Sequence, residues 1–312
     1  MKRLVTRSDF DGLACAMMLK ELKLIDEIKF VHPKDVQDGK VELSDNDITT
    51  NLPYDPRVSI AFDHHESEVD RNKQKNTTGK LIIDPHARSA ARVVYDYYGG
   101  KKAFPRISEE LLTAVDKGDS ADFTIDEILN PTKWVLLHYI MDPRTGLGRF
   151  HDFRISNFDL MMELIDNCMN LTIDEILNLP DVKERTDLYF EQTELFKEQL
   201  KKIVKVHDKV IVIDLRNEDV IYAGNRFMVY AMYPEAEISI HVAWGFKKQN
   251  TAVMIGKSII NKNSKVDIGE LCLSYGGGGH ANAGTCQLDN DVVDKELPII
   301  IEKLNGKWRE YY

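Results

Sequence analysis

No apolar run in the 312 residues approaches the roughly 18 needed for a membrane helix, so a spanning segment is not expected. Cysteine is scarce: Cys15, Cys168, Cys272 and Cys286 are far apart and form no CxxC pair. That spacing argues against a disulfide framework and a cysteine-rich structural zinc site, and it fits a reducing cytosol. Positive charge is also in deficit, with 41 Lys and Arg against 51 Asp and Glu and a formal net charge of −10. A long duplex DNA partner needs a basic face, so this balance argues against one while leaving room for a short oligonucleotide or a small phosphoester. The start, MKRLVTRSDFDG, is basic but has neither a long apolar stretch nor a small-residue cleavage site. It is therefore not expected to be a signal peptide.

What is present is the composition of a soluble globular chain, 43% apolar and 29% charged, long enough for two domains with separate cores. KRLV, EIKFVH, RVSIAF and KLIID predict strands, while LACAMMLKELKL predicts an amphipathic helix and SAARVVYDYY and EELLTAVDKG two more helices. The alternation predicts an α/β fold with a mostly parallel N-terminal sheet flanked by helices. The heptapeptide TIDEILN occurs at 124–130 and again at 172–178, where Thr followed by Glu three residues later predicts two capping boxes. A charged helix over 181–208 is expected to join this domain to a smaller mixed-sheet α/β domain, with strands in KVIVIDL, AEISIHVAW and TAVMIGKSI and a GGGG turn. The expected organisation is a catalytic domain over 1–185, a linker helix over 186–207 and a substrate-binding domain over 208–312.

Three acidic or imidazole clusters follow predicted elements of the first domain. Asp9 and Asp11 flank Phe10 in SDFDG, just after the first strand. In extended backbone they point the same way, which is costly without a cation between them, but taken alone the pattern reads first as a helix N-cap or turn built on Asp9 or Asp11. Asp63-His64-His65 follows RVSIAF; a carboxylate beside an imidazole fixes its tautomer and raises its basicity as a ligand. Imidazole with several carboxylates suits Mn²⁺ or a similar ion. AVDKGDSADF places Asp116, Asp119 and Asp122 at a helix end, where a cation or plain solvation would balance them.

Together, DxDG, DHH, the later Asp cluster and the C-terminal GGGGHANAG resemble the DHH phosphoesterase superfamily over nearly the whole chain. The resemblance is to its two-domain members with a DHH-associated C-terminal domain: nano-RNases, bisphosphate nucleotide phosphatases and exopolyphosphatase-related proteins. It implies a hydrolase of the phosphoric-ester class (EC 3.1, with 3.6 as an alternative). The substrate would be short and phosphorylated: an oligonucleotide, a nucleoside bisphosphate or a dinucleotide, held in a cleft between the domains. An exopolyphosphatase-like hydrolase and a catalytically weakened nucleotide-binding protein are the alternatives. A homodimer is compatible with the sequence but not specified by it.

Carried over by position, Asp9, Asp11, Asn51, His64 and Asp116 are the metal residues, with Asp119 the alternative to Asp116. His65 would contact the phosphate or leaving oxygen, and Asp63 shares the catalytic motif. Gly276, Gly277, Gly278 and Gly279 with His280 would hold the far end of the substrate, their amides forming an anion nest; Arg226 and Arg88 are further phosphate candidates, with Asn225, Ser89, Lys257 and Ser258 weaker ones. Two positions depart from the pattern. Val5 stands where two-metal members carry a histidine, and Asn51 stands where a bridging aspartate is expected, with Asp45, Asp47 and Asp55 nearby. The expectation is one firm Mn²⁺, a doubtful second ion, and Mg²⁺ or Co²⁺ as substitutes.

Overall fold

In the N-terminal part, five short strands of three to six residues are formed, and each except the third is followed by a helix. The computed structural model describes residues 2–73 and 80–306. The strands are β1 (Lys2–Thr6), β2 (Ile25–Phe30), β3 (Asp47–Thr50), β4 (Ile60–Asp63) and β5 (Leu81–Ile83). They form one all-parallel sheet in the order β2-β1-β3-β4-β5. Strand order reverses between β1 and β3, and in open α/β sheets the crevice beyond the carboxyl ends at such a point is where ligands sit. β3, over DITT, escapes a reading of the sequence: four residues with two threonines give a weak pattern, although all four are buried.

Two compact units are present, one of residues 1–122 and 131–189 and one of residues 123–130 and 190–312. In the first, the helix Phe10–Glu21 is buried from Phe10 to Leu19. The expected amphipathic stripe is thus replaced by burial all round. The helix packs against the helices Ala90–Tyr97, Glu109–Ser120 and Asn157–Asn170, so no face is left to solvent over most of its length. Both TIDEILN copies form the capping boxes expected of them, with Thr124–Glu127 and Thr172–Glu175 bonding reciprocally. The long charged helix runs Pro180–Ile203, and residues 204–207 belong to a strand rather than to its last turn.

The second unit carries a mixed sheet of six strands: β6 (Val204–His207), β7 (Val210–Asp214), β8 (Ile238–Trp244), β9 (Thr251–Lys257), β10 (Gly278–His280) and β11 (Ala283–Leu288). Their order is β10-β11-β9-β8-β7-β6, with only β7 and β8 parallel. One face of this sheet packs its Val and Ile side chains on the helices Ile268–Ser274 and Val293–Leu304. Among the described residues no helix is long and apolar enough to cross a membrane.

Candidate metal centre

The parallel sheet delivers chemistry at its carboxyl edge. β1 leads through Arg7 and Ser8 into Asp9, whose side chain caps the helix Phe10–Glu21 by accepting from the Gly12 amide at 3.0 Å. Gly12 is required by close approach, since a Cβ there would lie 2.0 Å from the Arg7 carbonyl oxygen. The capping role and the cluster role are therefore both met by the same acid. Asp9 Oδ2 also lies 3.0 Å from Arg7 Nε. Two residues on, Asp11 is buried and accepts from the amides of Ala90 and Ala91 (3.3 and 2.7 Å) and from Asn51 Nδ2 (2.7 Å). Two of those donors open the helix Ala90–Tyr97, where a carboxylate is favoured. Asn51 follows β3 in left-handed backbone, φ 55°, which asparagine tolerates better than most residues.

β4 ends in the DHH turn. Asp63 Oδ1 accepts from the amides of His64 (2.7 Å) and His65 (3.1 Å) and meets His65 Nδ1 at 2.7 Å. Asp63 therefore shapes the turn and orients His65, whose side chain is nearly half exposed. His64 is oriented by a different group: its Nδ1 faces the Ala87 carbonyl at 3.2 Å, which assigns a proton to Nδ1 and makes Nε2 the atom available to a metal. Suitable ligand atoms of Asp63, His64 and His65 lie within 4.8 Å of one another.

His64 Nε2 points at Asp119, 2.6 Å from its Oδ2. Both atoms are fully buried and lie outside hydrogen-bond alignment, as does the buried Asn51 Oδ1. His64 and Asp119 have each other, but a buried amide oxygen without a partner, as at Asn51, calls for a reason, and an ion is one. The charges point the same way. Burial, then the charges of Asp119 and Asp9, push Asp11 well above the usual carboxylate range. Burial likewise raises Asp9, opposed by Arg7 and assisted by Asp119. Burial pulls the His64 imidazole down, but Asp119, Asp11 and Asp63 outweigh it and raise it to about 9. Burial works against the Asp119 carboxylate, yet His64, Arg7 and His65 hold it below its ordinary value. Acids crowded in this way are relieved by a cation, so the donor set fits a divalent ion.

The structure brings Asp9, Asp11, Asn51, Asp63, His64 and His65 to one edge, but it seats Asp116 differently from the sequence-based expectation. Asp116 Oδ1 accepts from Ser89 Oγ at 2.7 Å, and its Oδ2 is clasped by Arg92 at 2.6 and 3.0 Å. Nearly one helical turn later, Asp119 is the acid that meets His64. The sequence could not separate two acids three residues apart on one helix without knowing which face Arg92 takes. Ser89 both caps its helix and anchors Asp116, and Arg88 pairs with Asp122 at 2.8 Å. Asp47 is bound by Arg3 and Ser44 at the start of β3, and Asp55 by Arg57. Arg144 is a residue that sequence reasoning missed. It sits in the turn Pro143–Thr145, held by Asp142 at 2.8 Å, and its charge acts with those of Asp9 and Asp119. The Pro-Arg-Thr-Gly turn is the only sequence signal for it.

In the second unit the glycine run is not a free nest. Gly276 alone of the four is left-handed, φ 74°, while Gly278–His280 is β10, paired antiparallel to β11. A Cβ on Gly277 or Gly279 would lie 2.1 Å from the Thr285 oxygen or 2.3 Å from the Ala283 oxygen, whereas Gly278 faces open space. His280 is exposed, and its Nδ1 accepts from the Asn282 amide at 3.3 Å. Arg226 lies over the Phe227 ring at 4.2 Å, and the neighbouring Asn225 is buried. Lys257 ends β9, and Ser258 is used in a local turn, accepting from the amides of Ile260 and Asn261.

A parallel sheet with DxD and DHH clusters at its carboxyl edge, in a chain whose mixed-sheet unit bears GGGGH, defines a two-domain phosphoesterase of the DHH class. Comparison with solved structures agrees. A pGpG-specific phosphodiesterase, PggH from Vibrio cholerae, is 53% identical with a TM-score of 0.88, covering 99% of this chain and 100% of that one. CDC45 from Entamoeba histolytica shares the fold at 7% identity and TM-score 0.51, over 97% of this chain and 95% of its own. RecJ from Thermus thermophilus, in complex with Mg²⁺, matches at 14% identity and TM-score 0.48, over 99% of this chain and 50% of its own. No family model and no curated protein matches. The chain belongs to the DHH phosphoesterase superfamily.

Proposed function

We propose that this protein is a divalent-metal-dependent phosphodiesterase that hydrolyses short linear dinucleotides of the pGpG kind. The observation that carries the reading is the buried facing of His64 Nε2 and Asp119 Oδ2 at 2.6 Å, with the unpartnered Asn51 Oδ1 at the same sheet edge. The 53% identity to a pGpG-specific phosphodiesterase along the whole chain supports the choice of substrate.

His64 Nε2 and Asp119 Oδ2 would hold the ion, with Asn51 Oδ1 as a neutral donor and Asp119 in the place expected of Asp116; Asp11, both of whose oxygens accept hydrogen bonds, would steady Asn51 and add negative charge beside the ion. Mn²⁺ suits this mixture of imidazole and carboxylate, with Mg²⁺ and Co²⁺ as substitutes. When bound, the ion supplies a nucleophilic water at neutral pH and polarises a phosphoryl oxygen. The chain's own residues do the rest. Ala87 keeps the Nδ1 proton on His64, so that Nε2 is the atom turned to the acids. Asp63 holds His65 through Nδ1, which leaves the exposed side of that imidazole for a phosphate or leaving oxygen. In the second unit, His280 is an exposed imidazole at the end of the glycine run, a candidate phosphate contact of that unit.

The test is turnover of pGpG to two mononucleotides with Mn²⁺, Mg²⁺ or Co²⁺ added, alongside longer oligonucleotides and polyphosphate. Activity should need the metal, fall with chain length and vanish in His64→Ala. Full turnover in His64→Ala, or a preference for polyphosphate, would overturn the assignment.

A further inference from the structure

The metal centre has one side built for an ion and one side already filled by the protein. Asp9 has both oxygens engaged, Oδ1 by the Gly12 amide at 3.0 Å and Oδ2 by Arg7 Nε at 3.0 Å. Asp9 is buried, so a second cation would reach it by displacing Arg7. Val5, standing where the sequence pattern expects a histidine ligand, is fully buried in a cluster with Val36, Val41, Leu43, Leu52 and Val58. It offers no donor atom. The contrast with the other side is sharp. There, His64 Nε2 and Asp119 Oδ2 are buried and face each other at 2.6 Å, and Asn51 Oδ1 is buried with no hydrogen-bonded partner, so three potential ligand atoms are turned inward.

We infer that the guanidinium of Arg7, fixed on Asp9, stands in place of a second metal, making this a centre of one divalent ion and one arginine. The inference rests on the metal-centre reading above and extends it. A guanidinium stays charged at any working pH and offers N–H groups to a phosphoryl oxygen as an ion offers open coordination positions. Arg7 meets Asp9 through Nε, and 27% of its side chain is exposed, which makes its charge accessible to an anion from solvent. Arg144, held on Asp142, reinforces the positive charge acting on Asp9 and Asp119 from a separate turn. The opening LVTRSDFDG thus carries one cation of the centre covalently.

Metal stoichiometry tests this without reference to turnover. Wild-type protein is equilibrated with Mn²⁺, separated from weakly held ions and measured by elemental analysis, with electron paramagnetic resonance reading spin coupling between paired ions. One Mn²⁺ per chain and no coupled signal are expected. Arg7→Ala frees Asp9 and should move the count above one, with a coupled signal emerging at high Mn²⁺. Arg7→Gln keeps most of the side-chain length without the charge and serves the same comparison should the alanine variant fail to fold. Two ions in the wild type, or a count that stays at one in the soluble variants, overturns the arginine's role while leaving the metal centre intact. No bound ion in the wild type overturns the metal centre itself and the inference with it.

Discussion

Asn51 donates its amide to Asp11 across the switch point, Nδ2 to Oδ2 at 2.7 Å, while its own Oδ1 is buried with no hydrogen-bonded partner. One end of the amide steadies an acid and the other is left for an ion. Replacing it with aspartate puts a second carboxylate against Asp11, which burial and neighbouring charges already push upward. In EDTA, Asn51→Asp should lose about 1–3 kcal/mol, the cost of a broken buried hydrogen bond. With Mn²⁺ the added charge should tighten ion binding about tenfold, or about 1.4 kcal/mol. Thermal melts with and without Mn²⁺ give both quantities; a neutral effect in both would mean Asn51 does not face the ion.

Asp116 and Asp119 lie on one helix but make different contacts, Asp116 with Ser89 and Arg92 and Asp119 with His64, and paired substitutions separate them. Asp119→Asn should remove Mn²⁺ binding and reduce turnover by a factor of about 100 or more, on the order of 3 kcal/mol in the barrier. Asp116→Asn should keep Mn²⁺ stoichiometry but leave Arg92 without its closest partner. Breaking a buried pair from one side costs roughly 3–5 kcal/mol, and partial exposure of Arg92 lowers that to about 1–3 kcal/mol here. The check is a metal titration beside a denaturant melt for each variant. Loss of metal from the Asp116 variant alone would reverse the roles.

The parallel sheet, the capped TIDEILN helices and the DHH turn were legible because each has a local cause. Strands of Val and Ile, Thr followed by Glu, and an acid before paired imidazoles all act within a few residues. β3 was not legible, since its burial comes from neighbouring strands rather than from its own pattern. Nor were the different contacts of Asp116 and Asp119, since Arg92 and Ser89 reach Asp116 from the preceding helix and its cap while His64 meets Asp119. Arg144 acts on the acids from a turn well downstream in sequence, and its relation to them exists only in three dimensions. Side chains recruited across elements are the part of the site that composition and spacing do not encode.

The glycine run divides by what each Cβ would strike. Gly277→Ala and Gly279→Ala drive a methyl group into the backbone of β11 and should destabilise the protein by about 1–3 kcal/mol, as overpacking does. Gly278→Ala meets open space and should leave the melting temperature within about 1 °C, consistent with the small effect of unstrained surface changes. Equal destabilisation by all three would show that β10 is not paired as described.

His64 gives the metal-free protein a pH dependence of definite sign. Its folded-state value is raised from 6.5 to about 9 through Asp119 and the neighbouring acids, after burial has pulled the other way. Between those values the folded state holds a proton that the unfolded state does not. Stability from this pair is therefore complete below about pH 6.5 and lost as pH rises through about 9. In EDTA the gap in melting temperature between wild type and His64→Gln should be widest at about pH 6 and close by about pH 9.5, as the same linkage requires. Mn²⁺ must displace that proton to reach Nε2, so its affinity should rise with pH over the same interval. A melting-temperature gap that widens toward alkaline pH would mean that His64 is not protonated against Asp119, and the ion would then have to be held elsewhere.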